Sequence, residues 1–400
     1  MIINEKRALA YSARINWVSP IQGADNIELV GVNGWTCIAK IGEFHEGDLA
    51  IYFEIDSRLP EKDWSAFMEA KHYKVKTMKL GKFKVISQGL ALPYAAFTGY
   101  ELPNEENVDV TELLGVTYSV AEDNSRKGAQ SKYDLMKVRH SALFKRKPIA
   151  WLFKREWGKK LLFVFFGKKK DSKMGFPTHF EGVHKTDQER VENMTWVLKN
   201  KEPFIVTEKI EGTSSTYILD KTKRKPEFYI LSRNVRQTDD TKATYHGTDE
   251  NVYWQVAEKY HIREFLNDYI DKNGLKWAAI QGETVGTSEK GVAVQENIYG
   301  FTDLRFFAFH LIDSESKSHK GVLESKAIAN AAGIEWVPIV DENYILPDNL
   351  DEFKKIADGK TIAPGAMTKT LREGYVYYSK ANPSFSFKNV SNAYLLKKRE

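Results

Sequence analysis

A single cysteine, Cys37, leaves this chain without a partner for an intramolecular disulfide and without the thiolates of a cysteine zinc site. Flanked by apolar residues, Cys37 reads as a small buried hydrophobe. Also missing is any uninterrupted apolar run near the ~20 residues a helix needs to cross a bilayer. The first residues, Met1-Ile2-Ile3-Asn4-Glu5-Lys6-Arg7, lack the basic start and apolar stretch of a secretory signal. The expectation is an intracellular, cytoplasmic protein that makes no use of a membrane. Excess charge is scarce too. The 59 Lys and Arg against 54 Asp and Glu give a net +5, a mild leaning toward polyanions. No internal repeat is present. What is there is an ordinary globular composition, 42% hydrophobic and 28% charged, over 400 residues, which suggests two domains.

The first hundred residues read as short strands, Ala13–Val18, Ile27–Val32, Trp35–Ile41 and Leu49–Ile55, broken at Gly23, Gly34, Gly42 and Gly47. Strands at that spacing suggest a small OB-like β-barrel over residues 1–120. Beyond it, the stretch from Lys71 to Val85 predicts a hairpin turning near Leu80-Gly81. Period-two alternation would set Lys74 and Lys76 on one face, and Lys82 and Lys84 likewise. Such a face suits a phosphate backbone. It equally suits an edge strand that lysines protect from aggregation. Residues 121–174 read as a linker followed by a basic and aromatic insertion. Its apolar run Leu161–Phe166 is either a buried element with basic flanks or a helix at a membrane surface.

From about 175 to 400 the pattern mixes strands with helices and lacks regular βαβ alternation, which makes the chain α+β. Strands are expected at Phe204–Val206, Phe228–Leu231, Ala278–Ile280, Leu304–Leu311 and Gly374–Ser379, and helices at Val252–Ile270 and Glu324–Ala332. A turn over Glu335–Ile345 and a short amphipathic helix over Leu350–Ala357 complete the reading.

The residues with chemistry fall at the ends of these strands. In Thr207-Glu208-Lys209-Ile210-Glu211-Gly212, a lysine closes an apolar strand, a carboxylate follows two residues on, and a glycine lets the backbone approach a ligand. Attack by lysine on phosphorus needs a neutral amine, whereas the ordinary pKa is ~10.4, so a nearby cation or a desolvating pocket is required. Glu211, Glu283 and Glu373 each adjoin a glycine and a strand, where carboxylates can hold a metal against phosphate charge. Taken singly, each of these residues is equally an ordinary strand-edge charge, and Phe309 a core aromatic.

Taken in order, the islands Lys209-Ile210-Glu211-Gly212, Ser232-Arg233-Asn234, Gln281-Gly282-Glu283, Phe306-Phe307-Ala308-Phe309, Arg372-Glu373-Gly374-Tyr375-Val376 and Ser386-Phe387-Lys388-Asn389 resemble the collinear motifs of covalent nucleotidyltransferases, the polynucleotide ligases and mRNA capping enzymes. The stretch from Gly175-Phe176-Pro177 through Thr186-Asp187-Gln188-Glu189-Arg190 is similar to ATP-dependent RNA ligases with an extra N-terminal OB-like domain. The resemblance implies a C-terminal adenylation domain of antiparallel sheets with helices over residues 175–400. It implies that Lys209 takes AMP from ATP as lysyl-AMP. Glu208, Arg233, Glu283, Phe309 and Lys388 would bind the nucleotide, Phe309 by stacking on the purine. Glu211, Glu283 and Glu373 would act through Mg2+ or Mn2+. Lys74, Lys76, Lys82 and Lys84 would hold the nucleic acid, an RNA or RNA-containing duplex with a nick, sealed by a monomer in RNA repair.

Three positions depart from the family pattern. Glu211 stands where Asp is common, His310 follows Phe309 where an acid is frequent, and Ser386 replaces the first of two lysines. About a dozen residues follow Lys388, and this favours an RNA ligase over a DNA ligase or a guanylyltransferase, which place an OB domain there. A nucleic-acid binder that has lost catalysis is the remaining alternative.

Overall fold

A computed structural model describes residues 1–4, 6–119, 176–237, 251–316 and 320–397. The expected linker and insertion at 121–174 lie outside the described residues. The chain divides into two compact units, each drawn from separated stretches: Met1–Asp123, Asp187–Ile210 and Val337–Glu400 in one, Asn124–Thr186 and Glu211–Trp336 in the other.

The first unit begins with a five-stranded antiparallel sheet of β1 (Ala10–Pro20), β2 (Ile27–Val32), β3 (Trp35–Lys40), β4 (Leu49–Phe53) and β5 (Leu90–Pro93), in the order β5-β4-β1-β2-β3. The long β1 serves two neighbours. Its first half pairs with β4 and, past a register shift between Ile15 and Trp17, its second half pairs with β2. Alternation sorts the side chains: Tyr11, Ala13, Ile15, Val30, Val32, Trp35, Cys37 and Tyr52 fill one face. Ala10, Ile51, Phe53 and Leu92 cover the other with Leu59, Met68 and Phe97. Cys37 is fully buried with its Sγ 3.0 Å from the Gln88 carbonyl oxygen, and burial pushes its thiol pKa well up, as an inert core residue requires.

The hairpin near Leu80-Gly81 exists, but its strands are only Met78–Leu80 and Val85–Ser87. Lys82 and Lys84 therefore lie in the turn, and Lys74 and Lys76 precede the first strand. The expected lysine face does not form, because period-two alternation holds only inside a strand. Lys76, Lys82 and Lys84 are exposed and Lys74 is half-buried.

A second five-stranded sheet in this unit is built from β6 (Phe204–Lys209), β11 (Ile339–Tyr344), β12 (Gly374–Ser379), β13 (Ser386–Val390) and the two residues Glu189–Arg190. The order is Glu189–Arg190, β13, β12, β6, β11, with Glu189–Arg190 parallel to β13 and the rest antiparallel. Strand β11 replaces the turn expected at Glu335–Ile345. Phe204, Val206, Tyr375, Tyr377 and Phe387 lie on one face of this sheet and pack on Val197, Leu198 and Phe353, the last carried by a short helix at Leu350–Ile356.

The second unit is centred on a six-stranded sheet of β7 (Thr213–Asp220), β8 (Glu227–Ser232), β9 (Trp277–Gly286) and β10 (Leu304–Asp313), ordered β8-β7-β9-β10, with Arg236–Gln237 beside β8 and Glu335–Trp336 beside β10. Two helices, α1 (Val252–Lys259) and α2 (Ile262–Asn273), stand where one was expected. His261, at φ +48°, breaks the run. Asn251 caps α1 by accepting from the Tyr253 and Trp254 amides. Helix α2 buries Ile262, Leu266, Tyr269 and Ile270, one stripe of the 3.6-residue period. A further helix, α3 (Val322–Ala331), follows β10. Among the described residues no helix is long and apolar enough to cross a membrane.

Candidate active site

In the first unit, the register of β6, β12 and β13 decides which motif residues share a face. Thr207 pairs with Val376, which pairs with Lys388; Lys209 pairs with Gly374, which pairs with Val390. Directly opposed residues point the same way, so Lys209 and Lys388 stand on one face, opposite Phe204, Val206 and Tyr377. At the end of β6, Lys209 Nζ lies 2.7 Å from Glu373 Oε2, and both side chains are partly open to solvent, at 25% and 17% exposure. Gly374 has φ +155°, and a Cβ there would lie 2.2 Å from the Asn389 carbonyl oxygen. Glycine is thus required for β12 to start beside β13 and to carry Glu373 to the lysine.

Lys388 is almost fully buried, and its Nζ lies 3.0 Å from Asp187 Oδ1. Burial lowers its pKa to about 8, and Asp187 opposes that, while Arg7, Arg190 and Lys209 add to it by charge repulsion. Asp187 also accepts from Arg7 Nη1 at 3.3 Å, and Arg7 Nη2 donates to the buried Glu54 at 3.0 Å. Sequence reasoning assigned no part to Asp187 or Arg7. The signal for Asp187 was its place in Thr186-Asp187-Gln188-Glu189-Arg190; for Arg7 nothing local marks it.

Glu208 alternates to the other face. Its carboxylate, 1% exposed, accepts from the Thr361 hydroxyl and, at 2.7 Å, from the Ile362 amide. Burial raises its pKa, and these two hydrogen bonds oppose the rise. The carboxylate is therefore not brought to the face that carries Lys209.

In the second unit, Gly212 begins the step into β7. A Cβ on it would lie 2.3 Å from the Thr284 carbonyl oxygen and 3.1 Å from Glu283 Cγ. The close approach that this glycine permits is to β9, and it sets Glu283 beside the Glu211-Gly212 step. The Glu211 amide donates to the Tyr299 hydroxyl at 2.8 Å. Glu283 is half-buried on β9, paired with Ser214 and Phe307. Arg233 is exposed in the turn after β8, where the Ser232 amide donates to the Val235 carbonyl.

Phe309 owes its position to a bulge. Gln281 pairs with His310 but Gly282 pairs with Ala308, so Phe309 is the extra residue of β10. Phe306 and Phe307 are fully buried; Phe309 is half-exposed, its ring edge-on to His310 at 4.9 Å. An aromatic turned out of a buried strand is free to stack on a planar ligand. His310, 4% exposed, has Nδ1 3.1 Å from Gln281 Oε1, and Gln281 Nε2 donates to the His184 carbonyl at 2.9 Å and to Thr216 Oγ1 at 3.1 Å. With the amide nitrogen donating, its oxygen accepts, which assigns the proton to Nδ1.

Among the described residues no group of three or more His, Cys, Asp and Glu is gathered as a metal site within the chain alone. Glu211 and Glu283 in the second unit and Glu373 in the first each offer carboxylate oxygen alone, a donor chemistry that suits Mg2+ or Mn2+ and not zinc.

A model of an OB-fold domain matches residues 9–94, and the RNA ligase family model matches residues 202–390. No curated protein matches the chain. Among solved structures, a Naegleria gruberi RNA ligase variant with AMP and Mn is similar at 26% identity and TM-score 0.71, over 98% of this chain and 99% of that one. Another variant with ATP and Mn is 25% identical at TM-score 0.71 over the same shares. The same ligase with PPi is 25% identical at TM-score 0.70, again over 98% of this chain and 99% of that one.

Proposed function

As an ATP-dependent RNA ligase of the covalent nucleotidyltransferase superfamily, of the branch with an N-terminal OB-like domain, this chain is one that we propose seals a 3′-OH to a 5′-phosphate at nicks in RNA-containing duplexes. One observation carries the residue assignment: Lys209, at the end of its strand, lies 2.7 Å from Glu373 and shares a face with Lys388.

The chemistry runs in three displacements. Lys209 Nζ, once deprotonated, attacks the α-phosphorus of ATP; the N–P bond forms and pyrophosphate leaves. An oxygen of the RNA 5′-phosphate then attacks the same phosphorus, the N–P bond breaks, and the amine is released to take back a proton. The 3′-OH finally attacks the activated 5′-phosphate, and AMP departs. Lys388 presents a cation to the α-phosphate and the departing pyrophosphate, and with Ser386 in the place of a second lysine it does so without that partner. Glu211, Glu283 and Glu373 would hold a divalent ion, which would supply positive charge against the phosphates and favour the free amine of Lys209. In the nucleotide-free chain Glu373 instead keeps Lys209 oriented at the strand end. Glu283 also approaches the ribose, Arg233 contacts nucleotide or RNA, and Phe309 stacks on the adenine. Glu208 supports the nucleophile from the opposite face, so any contact it makes with the nucleotide comes from its backbone.

Residues 1–120 are the OB-like part that grips the duplex, and 175–400 carry adenylation. Lys74, Lys76, Lys82 and Lys84, set in a turn and its approach, reach phosphates without needing a strand face. Ribonucleotides on the 3′-OH side are sensed through the 2′-hydroxyl and A-form shape. The enzyme works as a monomer in the cytoplasm, where both ATP and broken RNA are met.

Incubation with labelled ATP and Mn2+ should yield an alkali-stable, acid-labile adduct on the peptide holding Lys209, lost in Lys209→Ala and on chelation of the metal. Labelling by GTP in preference would move the assignment to a guanylyltransferase. Nick sealing that survives Lys209→Ala would refute the nucleophile.

A further inference from the structure

Resting on the ligase reading, we propose that the loop Asp358–Arg372 is an RNA-contacting platform whose rigid frame is fastened by Glu208. Its ends sit where the reacting residues sit. β6 finishes at Lys209 and β12 starts at Gly374, and these two residues are paired, so the loop enters the sheet at the end that holds Lys209 and Glu373. One anchor, Glu208, immediately precedes Lys209; the other, Arg372, immediately precedes Glu373.

The loop is held far more firmly than an idle connection needs. Glu208 gives up a buried carboxylate to the Thr361 hydroxyl and the Ile362 amide. Arg372 donates to the Ala357 carbonyl at 3.1 Å and the Asp358 carbonyl at 2.9 Å, and lies over the Tyr375 ring at 4.5 Å. Asp358 in turn accepts from Ser391 Oγ at 2.7 Å and the Ala393 amide at 3.0 Å. Across the neck, Lys360 bridges Leu371, the Thr361 amide donates to the Thr370 carbonyl at 2.9 Å, and the Arg372 amide to the Gly359 carbonyl at 3.0 Å.

Above this neck the loop presents what a polyanion with planar bases would meet. Ile362 is 50% exposed and Met367 56% exposed, with Lys360 and Lys369 exposed beside them. From 359 to 372 there is no Asp or Glu against Lys360, Lys369 and Arg372. Exposed apolar side chains set between lysines on a pre-ordered frame suit a nucleic-acid end: lysines to phosphates, Ile362 and Met367 against the face of a base or ribose. Fixing the frame beforehand spares the entropy of ordering it on contact.

The test uses the full-length chain and two double variants, Lys360→Ser/Lys369→Ser and Ile362→Ser/Met367→Ser, with three readouts. Labelling of Lys209 by ATP should be unchanged in both. Sealing of a pre-adenylated nicked RNA duplex, which needs no ATP, should fall by about tenfold, and binding of that duplex by anisotropy should weaken with it, the slope of log affinity on log salt dropping by about 1 for each lysine removed. Equal sealing and binding in parent and variants would overturn the proposal. So would a parallel fall in ATP labelling, which would make the loop scaffolding. A loss confined to the apolar pair, with the lysine pair unchanged in affinity and salt slope, would deny the lysines their phosphates and overturn the platform as proposed. A parent that never labels with ATP, while the lysine variants still lose the duplex, would sink the ligase reading and leave the platform standing.

Discussion

Lys388→Met separates function from stability with opposite signs. Burial holds the Lys388 ammonium at a pKa of about 8 against an ordinary 10.5, even with Asp187 3.0 Å away. At ~1.4 kcal/mol per pH unit, keeping that charge inside the fold costs about 3 kcal/mol relative to the neutral side chain. A methionine fills similar volume without the charge, and Asp187 retains Arg7 as a partner. The sign follows from proton counting. Between pH 8 and 10.5 the unfolded chain binds more protons at this position than the folded one, so parental stability rises with pH across that window and is lost as pH falls back through 8. The variant lacks this rise. Thermal unfolding midpoints at pH 7 should therefore be higher in Lys388→Met, the gap closing toward pH 10.5. Labelling of Lys209 by ATP should meanwhile collapse in the variant, and the parent's labelling should weaken as pH passes above 8, where the cation is lost. A variant that is less stable at pH 7, or a gap that does not change with pH, would refute the reasoning.

Three further outcomes are expected. Phe309→Ala should raise the ATP requirement for labelling by roughly 10- to 100-fold, since base–aromatic stacking is worth about 1–3 kcal/mol, while the unfolding midpoint barely moves. Phe307→Ala, in the fully buried neighbour, should instead cost about 3–5 kcal/mol of stability, and equal stability losses in the two variants would deny the bulge its role. Gly212→Ala should destabilise by about 1–3 kcal/mol, because its Cβ would meet the Thr284 carbonyl. With Glu283 displaced, its labelling by ATP should fall more than that of the open-surface control Gly321→Ala.

Chain order alone put these residues forward. Lys209 closes an apolar strand and Glu373 directly precedes one, while Glu283 and Lys388 lie inside strands and stood out only through short fixed patterns, and such patterns are local. Strands β2 and β12 fall on the residues expected for them, since alternation and bounding turns are read from neighbours a few positions away. What a strand end faces is set by partners far along the chain. The extra residue in β10 exists only relative to β9, and it turns Phe309 out of a core that its neighbours fill. Glu208 and Lys209 are adjacent in sequence and opposite in space, because pairing with β12 fixes which of them meets the core. The lysines at 74, 76, 82 and 84 were assigned a face that three-residue strands are too short to create. Asp187, which pairs with Lys388, and Arg7, which pairs with both Asp187 and Glu54, come together only through folding, as does the burial that makes the ammonium costly. Sequence determined which reactive groups this protein owns. Tertiary pairing decided which of them stand together, because register, bulges and burial are properties of contacts between distant residues.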